Sequence, residues 1–150
     1  MPLRDFFEAE SLALPLRAIS APEVLPELVA LLRLDERASA TLLKALARRE
    51  ELGSTGVGRG IAIPHGRSLV VNRVRLAYAY SPAGIAWRAL DDRPVHHFFL
   101  IAAPPIEVSN QYLPTLGKIA TFAKDADVPD RLARITSPEE FFALLEEKGV

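Results

Sequence analysis

The sequence predicts an α/β fold in which one β-sheet is flanked by helices. Three observations carry this. Apolar residues recur at helical spacing between residues 21 and 52. From residue 60 to residue 102 they fall instead into short apolar runs and period-two alternation. After Pro104-Pro105 the helical period returns. Two helices, several strands and three helices must bury their apolar faces on one another, and a sheet with helices packed on it does so. The 150 residues contain no repeat, no low-complexity tract and no Pro/Gly-rich linker, so residues 1–150 read as a single domain.

Leu12 to Leu16 forms a short apolar run, and Pro15 confines it to an edge strand. The first helix opens at Ser20-Ala21-Pro22-Glu23, a capping-box pattern with Pro in the first turn. Val24, Leu25, Leu28, Val29 and Leu32 form its apolar stripe. A second helix fits Asp35 to Leu52, with Leu42, Leu43, Leu46 and Ala47 on one side and Gly53 as its stop. The two form a helical hairpin. Ile61-Ala62-Ile63 is a short strand ended by Pro64. Val74 to Tyr80 alternates as a strand, Ile85-Ala86-Trp87 follows a turn signal as another, and Val95 to Ala102 reads as a buried central strand. Helices then fit Val108 to Lys124, Asp130 to Ile135, and a last one opened by Ser137-Pro138-Glu139-Glu140.

Composition excludes several function classes. Lys plus Arg is 18 and Asp plus Glu is 19, a net charge of -1, which disfavours general nucleic-acid binding. No apolar run approaches the roughly 20 residues that span a bilayer, so membrane insertion is not expected. Cys is absent, which removes disulfides, thiolate nucleophiles and zinc-thiolate sites. Met1 to Glu10 carries acids and lacks the apolar core of a secretory leader, so a cytoplasmic location is expected.

The densest chemical signal runs from Gly53 to Arg67. Four of the eight residues from 53 to 60 are Gly. Glycine permits positive φ and close backbone approach, and successive exposed amides can cradle an anion. No Lys-Ser or Lys-Thr follows, so this is not a nucleotide P-loop. His65 follows Pro64 and precedes Gly66, with Ser54, Thr55, Arg49, Arg59 and Arg67 nearby in sequence. Imidazole, hydroxyls, amides and guanidinium together suit an anionic group on or beside His65. His96 and His97 are adjacent on a strand, point to opposite faces, and cannot chelate one ion, so no metal site is expected there. Trp87 and Phe98-Phe99 read as core or as a partner face.

The segments Arg49-Glu50, Gly53-Ser54-Thr55-Gly56 and Gly60-Ile61-Ala62-Ile63-Pro64-His65-Gly66-Arg67 resemble the phosphohistidine signature of the fructose/mannitol-type IIA components. These belong to the bacterial phosphoenolpyruvate-dependent sugar phosphotransferase system and include a nitrogen-regulatory branch. The helix pair, the run Asp91-Asp92-Arg93-Pro94-Val95 and the helical end extend the resemblance over nearly the whole chain. It implies a mixed sheet flanked by helices. It implies that His65 accepts a phosphoryl group from the histidine phosphocarrier protein and that Arg49 stands near it. Ser54, Thr55, Gly56 and Arg67 are then expected to hold phosphoryl oxygens, although Arg67 reads equally well as a solvated arginine. A phosphohistidine donor is already activated, so no cofactor is expected. In transporting members the group passes on to a Cys of a IIB domain, and in regulatory members it changes which target proteins are bound.

One position departs from the family. A second His, often in a His-Leu pair, commonly follows the central strand, and Tyr112-Leu113 stands there in this chain. The Tyr112 hydroxyl is expected to reach His65 or its phosphoryl group, but it cannot titrate near neutral pH. This favours a regulatory carrier. A sugar-transport IIA and a binding module without transfer activity are the alternatives.

Overall fold

The computed structural model describes residues 2–150 and has the layered mixed-sheet architecture. The strands are β1 (Phe7–Ala13), β2 (Gly56–Gly58), β3 (Ile61–Ala62), β4 (His65–Arg67), β5 (Arg75–Ile85) and β6 (Val95–Ala103). They lie in the order β1-β5-β6-β3-β2, with β4 also paired to β6. β1 is parallel to β5, β5 antiparallel to β6, β3 and β4 parallel to β6, and β2 antiparallel to β3. The helices are α1 (Ala21–Ala30), α2 (Glu36–Leu52), α3 (Tyr112–Lys124), α4 (Val128–Ala133) and α5 (Pro138–Glu147).

Each sheet face carries its own core. α1 and α2 cover one face around Leu28, Leu42, Ala77, Phe98 and Leu100. α3, α4, α5 and the turn Leu3–Phe6 cover the other around Leu76, Tyr78, Phe99, Phe122 and Phe141. The alternation of β5 is therefore large residues toward one helical layer and alanines toward the other, with Leu76, Ala77, Tyr78 and Ala79 all buried. β6 is buried along nearly its whole length, as a central strand must be. Phe98 and Phe99 enter opposite cores, and Trp87 packs edge-on against Phe98 at 5.0 Å, so all three are core residues.

Several elements differ from the sequence expectation. The edge strand is Phe7–Ala13 and stops before the cis Leu14-Pro15 bond. Ser20 does mark the start of α1, but its hydroxyl donates to Glu23 (2.6 Å) and caps no backbone amide. Asp35 and Ser137, in contrast, accept from the amides of Ala38 and Glu140. Residues 74–80 and 85–87 are not two strands. β5 runs from Arg75 through Ile85 with an irregularity after Tyr80 that absorbs Ser81-Pro82-Ala83-Gly84. α3 starts at Tyr112 rather than Val108, and its phase leaves Leu113 exposed. α4 spans Val128–Ala133 rather than residues 130–135.

His97 illustrates what burial does to a titratable group. It is 4% exposed, stacks between Tyr78 and Tyr80, and pairs its Nδ1 with the Tyr78 hydroxyl at 2.7 Å. Burial lowers its pKa to about 4, with His96 pushing the same way. In the unfolded chain the ring protonates near its ordinary value of about 6.5. Between those values the unfolded state binds the extra proton, so stability falls as pH drops through this window. Wild-type protein is expected to lose about 2 kcal/mol more stability between pH 7 and pH 5 than His97→Phe. Urea unfolding of both proteins at the two pH values measures the difference.

Candidate functional site

The site forms where a single strand path breaks. β3 and β4 run beside β6 in the same register, Ile61 opposite His97 and His65 opposite Ile101. Ile63-Pro64 interrupts them. Pro64 has no N–H to give, but its carbonyl still accepts from Ile101 N at 2.9 Å. His65 is therefore the first residue of a short strand, not a loop residue as its Gly- and Pro-flanked setting suggests. The Cβ of a larger residue at Gly66 would stand 3.4 Å from the Leu46 side chain, so the glycine lets α2 lie close against β4. That packing brings the last turn of α2, with Arg49 and Glu50, to His65.

The His65 ring is half-buried. Its Nδ1 lies 2.6 Å from the Ile63 carbonyl oxygen, which can only accept, so Nδ1 carries the proton. The neutral ring then has its lone pair on Nε2. Burial lowers the pKa of His65 first. The Ile63 bond raises it, Arg49 lowers it and Glu50 raises it. The balance favours the neutral imidazole at pH 7, which is the nucleophilic form.

Arg49 donates to the Gly53 carbonyl at 2.7 Å and lies near enough to act electrostatically on both His65 and Tyr112. Arg67 donates to the Pro104 carbonyl at 2.7 Å and stacks its guanidinium over the Tyr112 ring at 4.5 Å. Tyr112 is 8% exposed and tilts against His65 with ring centroids 6.1 Å apart. Its contact with His65 is ring to ring, and the hydroxyl makes no hydrogen bond to the imidazole. Burial raises the Tyr112 pKa against the opposing effect of Arg67 and Arg49, so the hydroxyl stays protonated. Four of the expected residues thus meet: His65, Arg49, Arg67 and Tyr112.

The loop residues are used differently from the sequence expectation. Thr55 is buried, and both its amide (2.7 Å) and its hydroxyl (2.6 Å) donate to the Glu50 carboxylate. The Gly56 amide donates to Ser54 Oγ at 3.0 Å. A Cβ on Gly56 would stand 2.7 Å from the Ala89 Cβ and 2.8 Å from its Cα, so this glycine is required by close chain approach. Arg59 points to the carbonyls of Lys124 and Asp125 at the end of α3. Glu50 stands in the sequence only as a member of the Arg49-Glu50 signature segment, with no role of its own. Among the described residues no group of three His, Cys, Asp or Glu is placed to hold a metal ion.

Residues 5–148 match the family model for the phosphoenolpyruvate-dependent sugar phosphotransferase system, EIIA 2, and the chain belongs to that family. A nitrogen regulatory protein of Bradyrhizobium diazoefficiens is 30% identical over 149 residues, covering 97% of this chain and 95% of that protein. The 2-O-alpha-mannosyl-D-glycerate-specific EIIABC component of Escherichia coli is also 30% identical, covering 99% of this chain but only 23% of that protein. The crystal structure of nitrogen regulatory protein IIA-Ntr from Neisseria meningitidis superposes with a TM-score of 0.85 at 28% identity, over 94% of this chain and 97% of that one. The IIA mannitol structure of Escherichia coli shares the fold, with a TM-score of 0.72 at 24% identity over 92% of this chain and 97% of that one.

The two loop glycines separate by their surroundings. Gly56→Ala is expected to cost about 1–3 kcal/mol, because its new methyl meets Ala89 backbone that cannot move away cheaply. Gly53→Ala should change stability by less than about 0.5 kcal/mol, since nothing lies within 4 Å of that position. Thermal or urea unfolding of the two variants provides the comparison.

Proposed function

We propose that this domain is a phosphoryl carrier with a nitrogen-type regulatory role, and that His65 Nε2 accepts the group from the histidine phosphocarrier protein. The observation that carries the reading is the Nδ1–Ile63 hydrogen bond, which leaves Nε2 as the available nucleophile. In the transfer, the Nε2 lone pair forms a P–N bond while the donor's P–N bond breaks and its electron pair returns to the donor ring. Nδ1 keeps its proton throughout, and the Ile63 carbonyl stabilises the positive charge that grows on the ring. Such a loose in-line transfer needs positioning and charge stabilisation more than covalent help. Arg49 and Arg67 supply the positive charge. Tyr112 supports Arg67 by stacking and shields one side of His65.

A partner must reach Nε2, and the surface suits an apolar contact. Ile106, Val108 and Leu113 are exposed on the segment that carries Tyr112 to His65. A cavity of about 230 Å³ lies between β2–β3 and α3, with the exposed Val57 in its lining. Exposed apolar surface beside a reactive group fits a docking face. The regulatory reading draws on the nitrogen regulatory relative, which this chain covers nearly end to end. The sugar-transport reading, with phosphoryl passing to a IIB domain, draws on the EIIABC relative and on the fold shared with the solved complex of IIA mannitol and phosphorylated IIB. A cytoplasmic location goes with this reading. No helix among the described residues is long and apolar enough to cross a membrane.

Incubation with phosphorylated histidine phosphocarrier protein tests the carrier. Wild-type protein should gain an acid-labile, alkali-stable phosphoryl group, and His65→Ala should gain none. Label retained by His65→Ala would move the acceptor elsewhere, and an unlabelled wild type would leave a binding module. Arg49→Ala should slow transfer more than Arg49→Lys, because a planar fork of donors holds phosphoryl oxygens better than a point charge.

The Tyr112 variants separate the hydroxyl from the ring. Tyr112→Phe keeps the surface under Arg67 and should transfer within about twofold of wild type, whereas Tyr112→Ala frees Arg67 and should slow transfer about tenfold or more. Single-turnover rates for the three proteins decide whether the ring or the hydroxyl acts.

A further inference from the structure

We infer that Glu50 is a positioning residue for His65: by drawing the Thr55 amide out of the sheet ladder, it leaves the Ile63 carbonyl free to hold the Nδ1 proton. This rests on the reading of His65 as the acceptor, and it assigns a specific task to a carboxylate that touches neither His65 nor a phosphoryl group.

β2 and β3 are antiparallel, with Gly56 opposite Ala62. One step outward, Thr55 stands opposite Ile63, and Ile63 N donates to the Thr55 carbonyl at 3.0 Å. In an antiparallel ladder two residues joined this way exchange both bonds, so the Thr55 amide should donate back to the Ile63 carbonyl. It does not. It donates to Glu50 Oε2 at 2.7 Å, and the Thr55 hydroxyl donates to Oε1 at 2.6 Å. The Ile63 carbonyl, released from its ladder partner, accepts from His65 Nδ1 at 2.6 Å instead. The bonds thus run in sequence from Glu50 through Thr55 and Ile63 to His65.

The chemistry demands a carboxylate at the start of this sequence. Thr55 is 4% exposed, and its two donors need two acceptor atoms because a buried unpaired amide is costly. Both oxygens of Glu50 accept. A glutamine offers one oxygen and turns an NH₂ toward the other donor, so the isosteric change breaks one bond without removing volume. Glu50 also opposes the neighbouring Arg49 at His65, because its charge raises the imidazole pKa where Arg49 lowers it.

Nitrogen-15 NMR of the His65 ring in the unphosphorylated protein, recorded above its titration range, reads the tautomer directly. Wild type should show Nδ1 protonated and Nε2 bare. Glu50→Gln should show a mixture of tautomers, a lower His65 titration midpoint, and transfer slowed about tenfold. Thr55→Ser, which keeps both donors, should behave as wild type. Thr55→Val, which keeps the amide but loses the hydroxyl bond, should shift the tautomer less than Glu50→Gln, and it serves where Glu50→Gln does not fold. A wild-type ring signature in a folded Glu50→Gln protein, or an Nε2-protonated ring in wild type, would overturn the inference. Because the tautomer is read without phosphoryl donor, it fails or stands apart from the carrier reading, which depends on the labelling of wild-type protein.

Discussion

One backbone carbonyl governs the site. Ile63 sits where a strand in continuous register with β6 is broken by Pro64, and its oxygen accepts from a side chain rather than from the sheet. A histidine in water exchanges its proton between two nitrogens. Next to a fixed carbonyl it cannot do so freely, and the outer nitrogen becomes a permanent lone pair. The strand break also fixes the ring's direction, because a bond of 2.6 Å to the residue two positions back leaves little rotational freedom. Orientation of this kind is what an in-line displacement requires of its nucleophile. The sheet therefore does more than carry His65. A missing ladder bond is the element that prepares it.

The electrostatics are balanced rather than extreme. Arg49, from the end of α2, acts on His65 directly, while Arg67, from β4, lies over the Tyr112 ring, and each is tethered to a backbone carbonyl. Positive charge would drive protons off His65 and help attract a phosphoryl dianion, yet too much would strip the ring of basicity. Glu50 offsets Arg49, and the Ile63 carbonyl offsets burial. The result keeps a neutral imidazole in a positively charged setting, suited to receiving a group and to releasing it. His97, only one strand away, is also raised by a backbone carbonyl (Pro129) and a carboxylate (Asp130), but deep burial outweighs both and its pKa falls to about 4. The same residue type in the same sheet is a carrier candidate where its ring is half-buried and a core side chain where it is 4% exposed.

Much of this was legible in the sequence, and the rest was hidden for identifiable reasons. The layer order, the central strand and the helix starts at Asp35 and Ser137 follow from local chemistry, and local chemistry is what a sequence displays. Ser81-Pro82-Ala83-Gly84 reads as a turn, but β5 passes through it because the ladder with β6 shifts there, with Gly84 at φ +84° close against Pro94 and His96. Leu113 reads as core because it keeps helical spacing with Leu116 and Ala120, yet α3 begins only at Tyr112 and its phase turns Leu113 outward. An exposed apolar residue obeys the same periodicity as a buried one. The meeting of His65, Arg49 and Tyr112 was legible through the family resemblance alone, since no spacing rule joins residues on three elements. The contacts of the loop polar groups were hidden for a related reason. Ser54, Thr55 and Gly56 have the composition of an anion cradle, but composition does not reveal that Thr55 is turned inward to Glu50 or that Gly56 makes room for Ala89.

Tyr112 bears on how far the site has diverged. Where the family commonly has a titratable imidazole, this chain has a ring that stays protonated and offers a face. The Arg67 guanidinium lies on that face at 4.5 Å while its tip is held by Pro104. A second imidazole could share protons and hydrogen-bond the phosphoryl group. Tyr112 instead offers its face to Arg67, whose charge does not change with pH. Such a substitution gives up a titratable ring and keeps a steady positive charge beside the site. The same stacking joins α3 to β4, so the surface that a partner meets and the charge that the phosphoryl group meets are set by one contact.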